Sequence, residues 1–248
     1  MKSLLIAFST LTLLPVSPKE WRGPDVKASV AFYPLVGAFL GGLLTAVGQV
    51  PLGFNLKTIL LLLVWVVATG AFHLDGLADC CDGFFGGKDP KDRRRIMKDP
   101  FIGAYGVTAI VLCLLFKFSL LPNLLGHEDA WRWLLLIPMA ARWAVALACT
   151  FFRPPKGDQG LGSQVMGFPQ DRFLIMTLFC WAGGFWLLRW QGLSTFLLMG
   201  SVALGIGSLS RSKIKGLTGD GMGAIIELSE LAGLFLAGCI IYMGSFHP

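Results

Sequence analysis

Apolar and polar stretches alternate along this chain at a period set by neither a soluble helix nor a strand. Apolar runs cover residues 29–50, 58–72, 101–121, 134–152, 173–188, 194–209 and 224–243, and short polar segments separate them. A helix rises 1.5 Å per residue, so about 20 apolar residues cross a hydrocarbon core of about 30 Å. The pattern predicts an all-α fold: a polytopic transmembrane helical bundle in one domain over residues 1–248, with about six crossings. Residues 1–16 form a further apolar stretch with one Lys. Pro15 and Pro18 interrupt its end, where a leader would have a small-x-small cleavage pattern, so an amphipathic or partly inserted N-terminal segment is expected rather than a leader. Within the 29–50 run, Gly37 and Gly41 have the small-xxx-small spacing that lets helices touch closely.

Charge orients this pattern. The chain is 54% hydrophobic and 15% charged, which excludes an ordinary soluble domain. Fifteen basic residues fall in one set of connecting segments (Lys19, Arg22, Lys27, Lys88, Lys91, Arg93, Arg94, Arg95, Lys98, Arg153, Lys156, Arg172, Arg211, Lys213, Lys215). Three (Lys57, Arg132, Arg189) fall in the other. That asymmetry predicts a multi-pass protein of the bacterial cytoplasmic (inner) membrane, with the basic, glycine-rich segments on the cytoplasmic face. It also accounts for the net charge of +6 without nucleic acid as a partner. The six cysteines form no C-x-x-C pair and read as small buried hydrophobes.

Candidate chemistry concentrates in residues 73–99, HLDGLADCCDGFFGGKDPKDRRRIMKD. On a helix, Asp75, Asp79 and Asp82 fall within about 60° of arc, because each residue turns about 100°. Three carboxylates on one face repel unless a cation sits among them. Oxygen ligands suit a hard divalent ion, Mg²⁺ where phosphates complete the shell. The basic run that follows offers Arg93, Arg94, Arg95 and Lys98 to phosphate oxygens. Arg142 lies deep in its apolar run and should line a polar cavity or pair with an acid such as Glu227. Asp220 sits in a glycine-flanked turn where it could cap the last helix. Glu227 and Glu230, three residues apart, share a face of that helix.

The motifs HLDGLADCCDG, IMKD followed by GAYG, and GLTGD followed by GAIIELSE resemble those of the cobalamin synthase (adenosylcobinamide-GDP ribazoletransferase) family. LTLLPVS, FYPLVGAFLGG and the GLG at Gly160–Gly162 are similar as well, so the resemblance spans nearly the whole chain in order. It implies transfer of the adenosylcobinamide phosphate group from adenosylcobinamide-GDP to the 5′-hydroxyl of alpha-ribazole, or to alpha-ribazole 5′-phosphate. GMP is released, and this is the late nucleotide-loop assembly step of cobalamin biosynthesis. It further implies an Mg²⁺-dependent phosphotransferase in a lipid bilayer, homo-oligomerisation being left open. On this reading Asp75, Asp79 and Asp82 hold the metal, Arg93, Arg94, Arg95, Lys98 and Arg142 bind substrate, and Asp220 and Glu227 are catalytic.

Two other classes share some of these features. Membrane CDP-alcohol phosphotransferases open their signature as Asp79, Asp82 and Gly83 do here, but Gly86 and Gly87 stand where that signature has Ala-Arg, and its closing acidic pair is missing. A cation-coupled transporter would place its carboxylates near the bilayer midplane, commonly in two repeated halves, and the sequence shows no such repeat.

Overall fold

The computed structural model describes residues 1–244, and these contain helices and turns but no strand. In chain order they are α1 (Lys2–Leu11), α2 (Gly23–Ser29), α3 (Tyr33–Gly48), α4 (Phe54–Ala68), α5 (Phe72–Cys81), α6 (Pro90–Ile96), α7 (Ala104–Leu125), α8 (Ala130–Phe151), α9 (Leu161–Val165), α10 (Gln170–Ile214) and α11 (Gly219–Gly244). Five spans are long and apolar enough to cross a membrane, and six if α4 and the segment after it count as one broken crossing. The chain forms the expected all-helical bundle, with five or six stretches able to cross a membrane when α10 is counted once.

Helix α8 is the axis of the bundle and is buried over most of its length. Its most extensive neighbour is α3. A β-carbon added at Gly41 would stand 2.6 Å from the Leu135 Cα, so only glycine lets the two backbones meet there. Helix α10 is a hairpin rather than a straight rod. Leu188 and Arg189 leave helical geometry, and Arg189 takes a left-handed φ of 54°. Trp181 stacks on Phe196 at 6.3 Å across the two arms, and the Gly184 and Gly192 backbones touch. This is the turn at Arg189 that the charge pattern predicts. Helix α1 buries Ile6, Ala7 and Leu11 against α2 and α3 as the N-terminal segment.

The largest departure from the sequence reading lies between α4 and α5. The apolar run was expected to continue as one helix to residue 72. Instead Gly70 and Ala71 both take positive φ (62° and 58°), and the two helical segments meet at 84°. The chain therefore turns sharply before the first aspartate, and α5 packs against α11 and α7 instead of extending α4.

Candidate active site

Helix α5 packs mainly against α11. Their closest approach is at glycines: a β-carbon at Gly76 would stand 2.7 Å from the Asp220 carbonyl oxygen, and one at Gly223 would stand 3.1 Å from the His73 carbonyl oxygen. This backbone contact sets Asp220, in the first turn of α11, beside the α5 carboxylates. Asp79 lies within electrostatic reach of Asp220 and Asp75, and Asp220 within reach of Asp75, Asp158 and Lys98. Gly76→Val is expected to separate α5 from α11 and to lower activity about 10²-fold, the scale on which a 1 Å misplacement acts. Turnover per folded molecule, with folding followed by gel filtration, checks it.

The loop after α8 closes over this corner. The Leu217 N–H donates to the Arg153 carbonyl at 2.9 Å, and Gly162 meets Gly219 so tightly that a β-carbon would stand 2.7 Å from the Gly219 nitrogen. Thr218 Oγ1 accepts the Gly221 N–H at 3.3 Å and so takes the capping role that the sequence offered to Asp220. Opposite this loop lies α6. Asp89 caps it, accepting the Lys91 and Asp92 N–H groups at 2.8 and 3.0 Å, and Pro90 occupies its first turn. Between α6, the glycine loop and the start of α11 runs a cleft of about 800 Å³. Lys91, Arg94, Arg95 and Lys98 line one side, and Asp158, Gln159, Thr218 and Asp220 line the other. Arg95 is paired with Asp92 at 2.8 Å, and its guanidinium, with the Lys88 N–H, holds the Asp92 carboxyl below the usual range. Cations beside carboxylates in one cleft are what a metal-assisted phosphoryl transfer needs.

A sequence profile described as "Cobalamin-5-phosphate synthase" matches residues 3–238. The chain belongs to the cobalamin-5-phosphate synthase family. Similar proteins named adenosylcobinamide-GDP ribazoletransferase include that of Stutzerimonas stutzeri, 38% identical over 94% of this chain and 96% of the relative. Those of Desulfitobacterium hafniense and Desulforamulus reducens are 35% identical (96% of each chain) and 33% identical (94% of this chain, 95% of the relative). No solved structure matches the chain. The CDP-alcohol phosphotransferase and transporter readings are not favoured by these relatives.

Not every residue read from the sequence reaches the cleft of this family member. Asp82, expected beside Asp75 and Asp79 at a metal, is buried, and its two carboxylate oxygens accept the Gly103 and Gly106 N–H groups at 2.7 and 2.9 Å. It caps α7 from a neighbouring element, where the chain widens into a π-turn over Asp82–Gly86. A β-carbon at Gly103 or Gly106 would collide with that carboxylate. Arg93 donates from Nη1 to the Lys213 carbonyl at 3.3 Å and packs over Gly87, fastening α6 to the end of α10 rather than facing the cleft.

Arg142, expected to bind substrate, and Glu227, expected to be catalytic, sit instead in a buried ionic network. Arg142 on α8 pairs with Glu230, and its Nη2 lies 3.5 Å from His73 Nδ1. Lys117 Nζ on α7 bonds Glu227 at 2.8 Å and Glu230 at 2.7 Å. The acid that Arg142 pairs with is Glu230, not Glu227 as expected. All five residues are 5% exposed or less. Two cations meet two carboxylates there, so the network is charge-balanced with His73 neutral. Lys117 is the residue the sequence reading missed. A lone lysine inside AIVLCLLFKFSLL is an intramembrane charge and was legible as such.

Among the described residues no three His, Cys, Asp or Glu side chains are gathered closely enough to hold a metal ion on their own. Mg²⁺ is ordinarily held by one or two carboxylates with substrate phosphates completing the octahedron. Asp75, Asp79 and Asp220 are oxygen donors near one another and near the α6 cations, and one or two of them fit that kind of shared site.

Proposed function

We propose that this chain transfers the adenosylcobinamide phosphate group of adenosylcobinamide-GDP to a ribose hydroxyl of alpha-ribazole or of its 5′-phosphate, releasing GMP. The observation that carries the reading is the cleft in which the α6 cations face Asp220, in a chain whose relatives carry that enzyme's name. The acceptor oxygen forms a bond to the phosphorus bearing the cobinamide. The bond from that phosphorus to the bridging oxygen breaks, and GMP leaves with the oxygen. In alpha-ribazole 5′-phosphate the 5′ oxygen is already esterified. The nucleophile common to both acceptors is therefore a ring hydroxyl of the ribose, in place of the 5′-hydroxyl expected from sequence.

Lys91, Arg94 and Lys98 would grip the pyrophosphate and offset the charge that builds on the departing GMP. Asp75, Asp79 and Asp220 are the residues that would hold Mg²⁺, which when bound neutralises phosphate charge and eases loss of the acceptor proton. The positive-inside asymmetry supports a cleft on the cytoplasmic side of the bacterial inner membrane.

Purified protein given adenosylcobinamide-GDP, alpha-ribazole and Mg²⁺ should release one GMP per corrinoid joined, and chelation should stop it. Ion flux in proteoliposomes without any GMP release would overturn the reading in favour of transport. Lys98→Ala and Arg94→Ala should each raise KM for adenosylcobinamide-GDP about tenfold or more, since a hydrogen bond to a charged group contributes about 1.5–3 kcal/mol. Steady-state kinetics at saturating acceptor checks this.

A further inference from the structure

The buried network has no contact with the cleft, yet it is built around α11, which brings Asp220 to the cleft, and α5, which carries Asp75 and Asp79 beside Asp220. Among the described residues, His73 at the start of α5 and Asp82 just past its end tie α5 to the rest of the bundle by polar groups, and Asp75 and Asp79 lie between them in sequence. At the first point His73 Nδ1 meets Arg142 on α8. At the second, Asp82 binds the N-terminus of α7. Helix α11 is held by the same groups: Glu230 takes Arg142, and Glu227 and Glu230 together take Lys117 of α7. Glu227 is seven residues past Asp220, about 10 Å along the helix axis.

Between these anchors α5 and α11 meet backbone to backbone at Gly76 and Gly223, with Leu74, Leu77, Ala224 and Leu228 packed beside that contact. Any sliding or rotation of one helix against the other therefore passes directly into the separation of Asp75 and Asp79 from Asp220. Packing at glycines permits close approach, but it does not by itself fix register. Ion pairs of defined geometry do, and a single buried polar group that fixes register is the best attested use of such groups.

We infer that Arg142, through its simultaneous hold on His73 and Glu230, is a positioning residue for phosphoryl transfer: it sets the register of α5 against α11 and so the spacing of the reacting carboxylates. The inference rests on the proposed transferase activity. It assigns work to a group 0% exposed that cannot touch substrate. The alternative is that the network only stabilises the bundle, in which case its loss would matter through folding alone.

The two are separable because a buried ion pair replaced as a whole by apolar groups of similar volume is commonly neutral or stabilising, whereas removal of one partner is strongly destabilising. The experiment starts with wild-type GMP release, whose absence would refute the transferase reading and not this one. Given that activity, the double variant Arg142→Met with Glu230→Met, and separately His73→Phe, which strands no buried charge, are purified in detergent. Each is measured for melting temperature and for kcat and KM with adenosylcobinamide-GDP. The expected result is a melting temperature close to wild type in at least His73→Phe. It comes with a fall in kcat of about 10–100-fold and an unchanged KM, because the α6 cations that bind the pyrophosphate are untouched. Arg142→Lys, which keeps the charge but loses the two-ended guanidinium, should recover stability better than kcat. Folded variants with wild-type kcat would overturn the inference, as would losses of kcat that follow only the folded fraction.

Discussion

Asp79→Asn is expected to reduce GMP release by about 10²–10³-fold while leaving the melting temperature unchanged or raised. The second half of that expectation is the informative one. The charges that act most on Asp79 are the carboxylates of Asp220, Asp75 and Asp82, so the side chain stands in a field of its own sign. Removing its charge relieves repulsion in the folded state. A group that costs stability and is kept for function shows this opposite movement of activity and stability. Asp82→Asn should behave in the reverse way. Its carboxylate accepts two backbone N–H groups at the start of α7, and the neutral amide can serve them less well, so the variant should lose about 0.5–2 kcal/mol of stability, the scale of a helix cap. Thermal unfolding of the two variants beside turnover per folded molecule separates the two aspartates. An Asp79→Asn protein that melts early would place Asp79 among the structural acids.

Lys117→Met is expected to be the most damaging single change to the fold, costing about 3–5 kcal/mol. Lys117 is the cation for Glu227, and it shares Glu230 with Arg142. Without it, Glu227 is left buried with no cation in contact among the described residues, and the balance of two cations against two carboxylates is lost. For a chain of this length about 2–4 °C accompanies each kcal/mol, so the apparent melting temperature should fall by on the order of 10 °C. Adding Glu227→Gln restores a one-to-one balance, Arg142 with Glu230, and should recover most of the loss. The double-mutant cycle reads this directly: the pair should be far less destabilised than the sum of the singles. Additive losses would mean that the two side chains are not the coupled pair that the geometry describes.

Much of this arrangement was legible in the chain. Apolar run lengths gave the bundle, the brevity of the polar segment at Arg189 gave the α10 hairpin, and Gly37 with Gly41 marked a close-packing face on α3, though not that α8 fills it. The gathering of residues 88–98, 153–162 and 216–220 at one end followed from the charge asymmetry. What was not legible came from partners distant in sequence. The spacing of Asp82 from Asp79 is the same whether its carboxylate meets a ligand or the N-terminus of α7, and Gly103 and Gly106 decide between the two. Arg142 and Glu227 announced themselves as intramembrane charges, but a charge that binds substrate and a charge that pairs with another buried charge have the same sequence signature. Lys117 was the missing half of that pairing. The bend before α5 depends on two left-handed residues, Gly70 and Ala71, and alanine carries no signal for that conformation. Asp158 and Gln159 enter the cleft only because the glycine loop folds back onto α11.

GMP release from adenosylcobinamide-GDP with alpha-ribazole 5′-phosphate, measured side by side for the wild-type protein and Asp220→Asn, tests the central claim most directly. Asp220 joins the cleft to the α5 carboxylates, so the account predicts stoichiometric GMP and joined corrinoid from the wild type. From a folded Asp220→Asn protein it predicts a rate about 10²–10³-fold lower. Wild-type rates in the variant would contradict the placement of the reaction in this cleft, and no GMP from a folded wild-type protein would contradict the reaction itself.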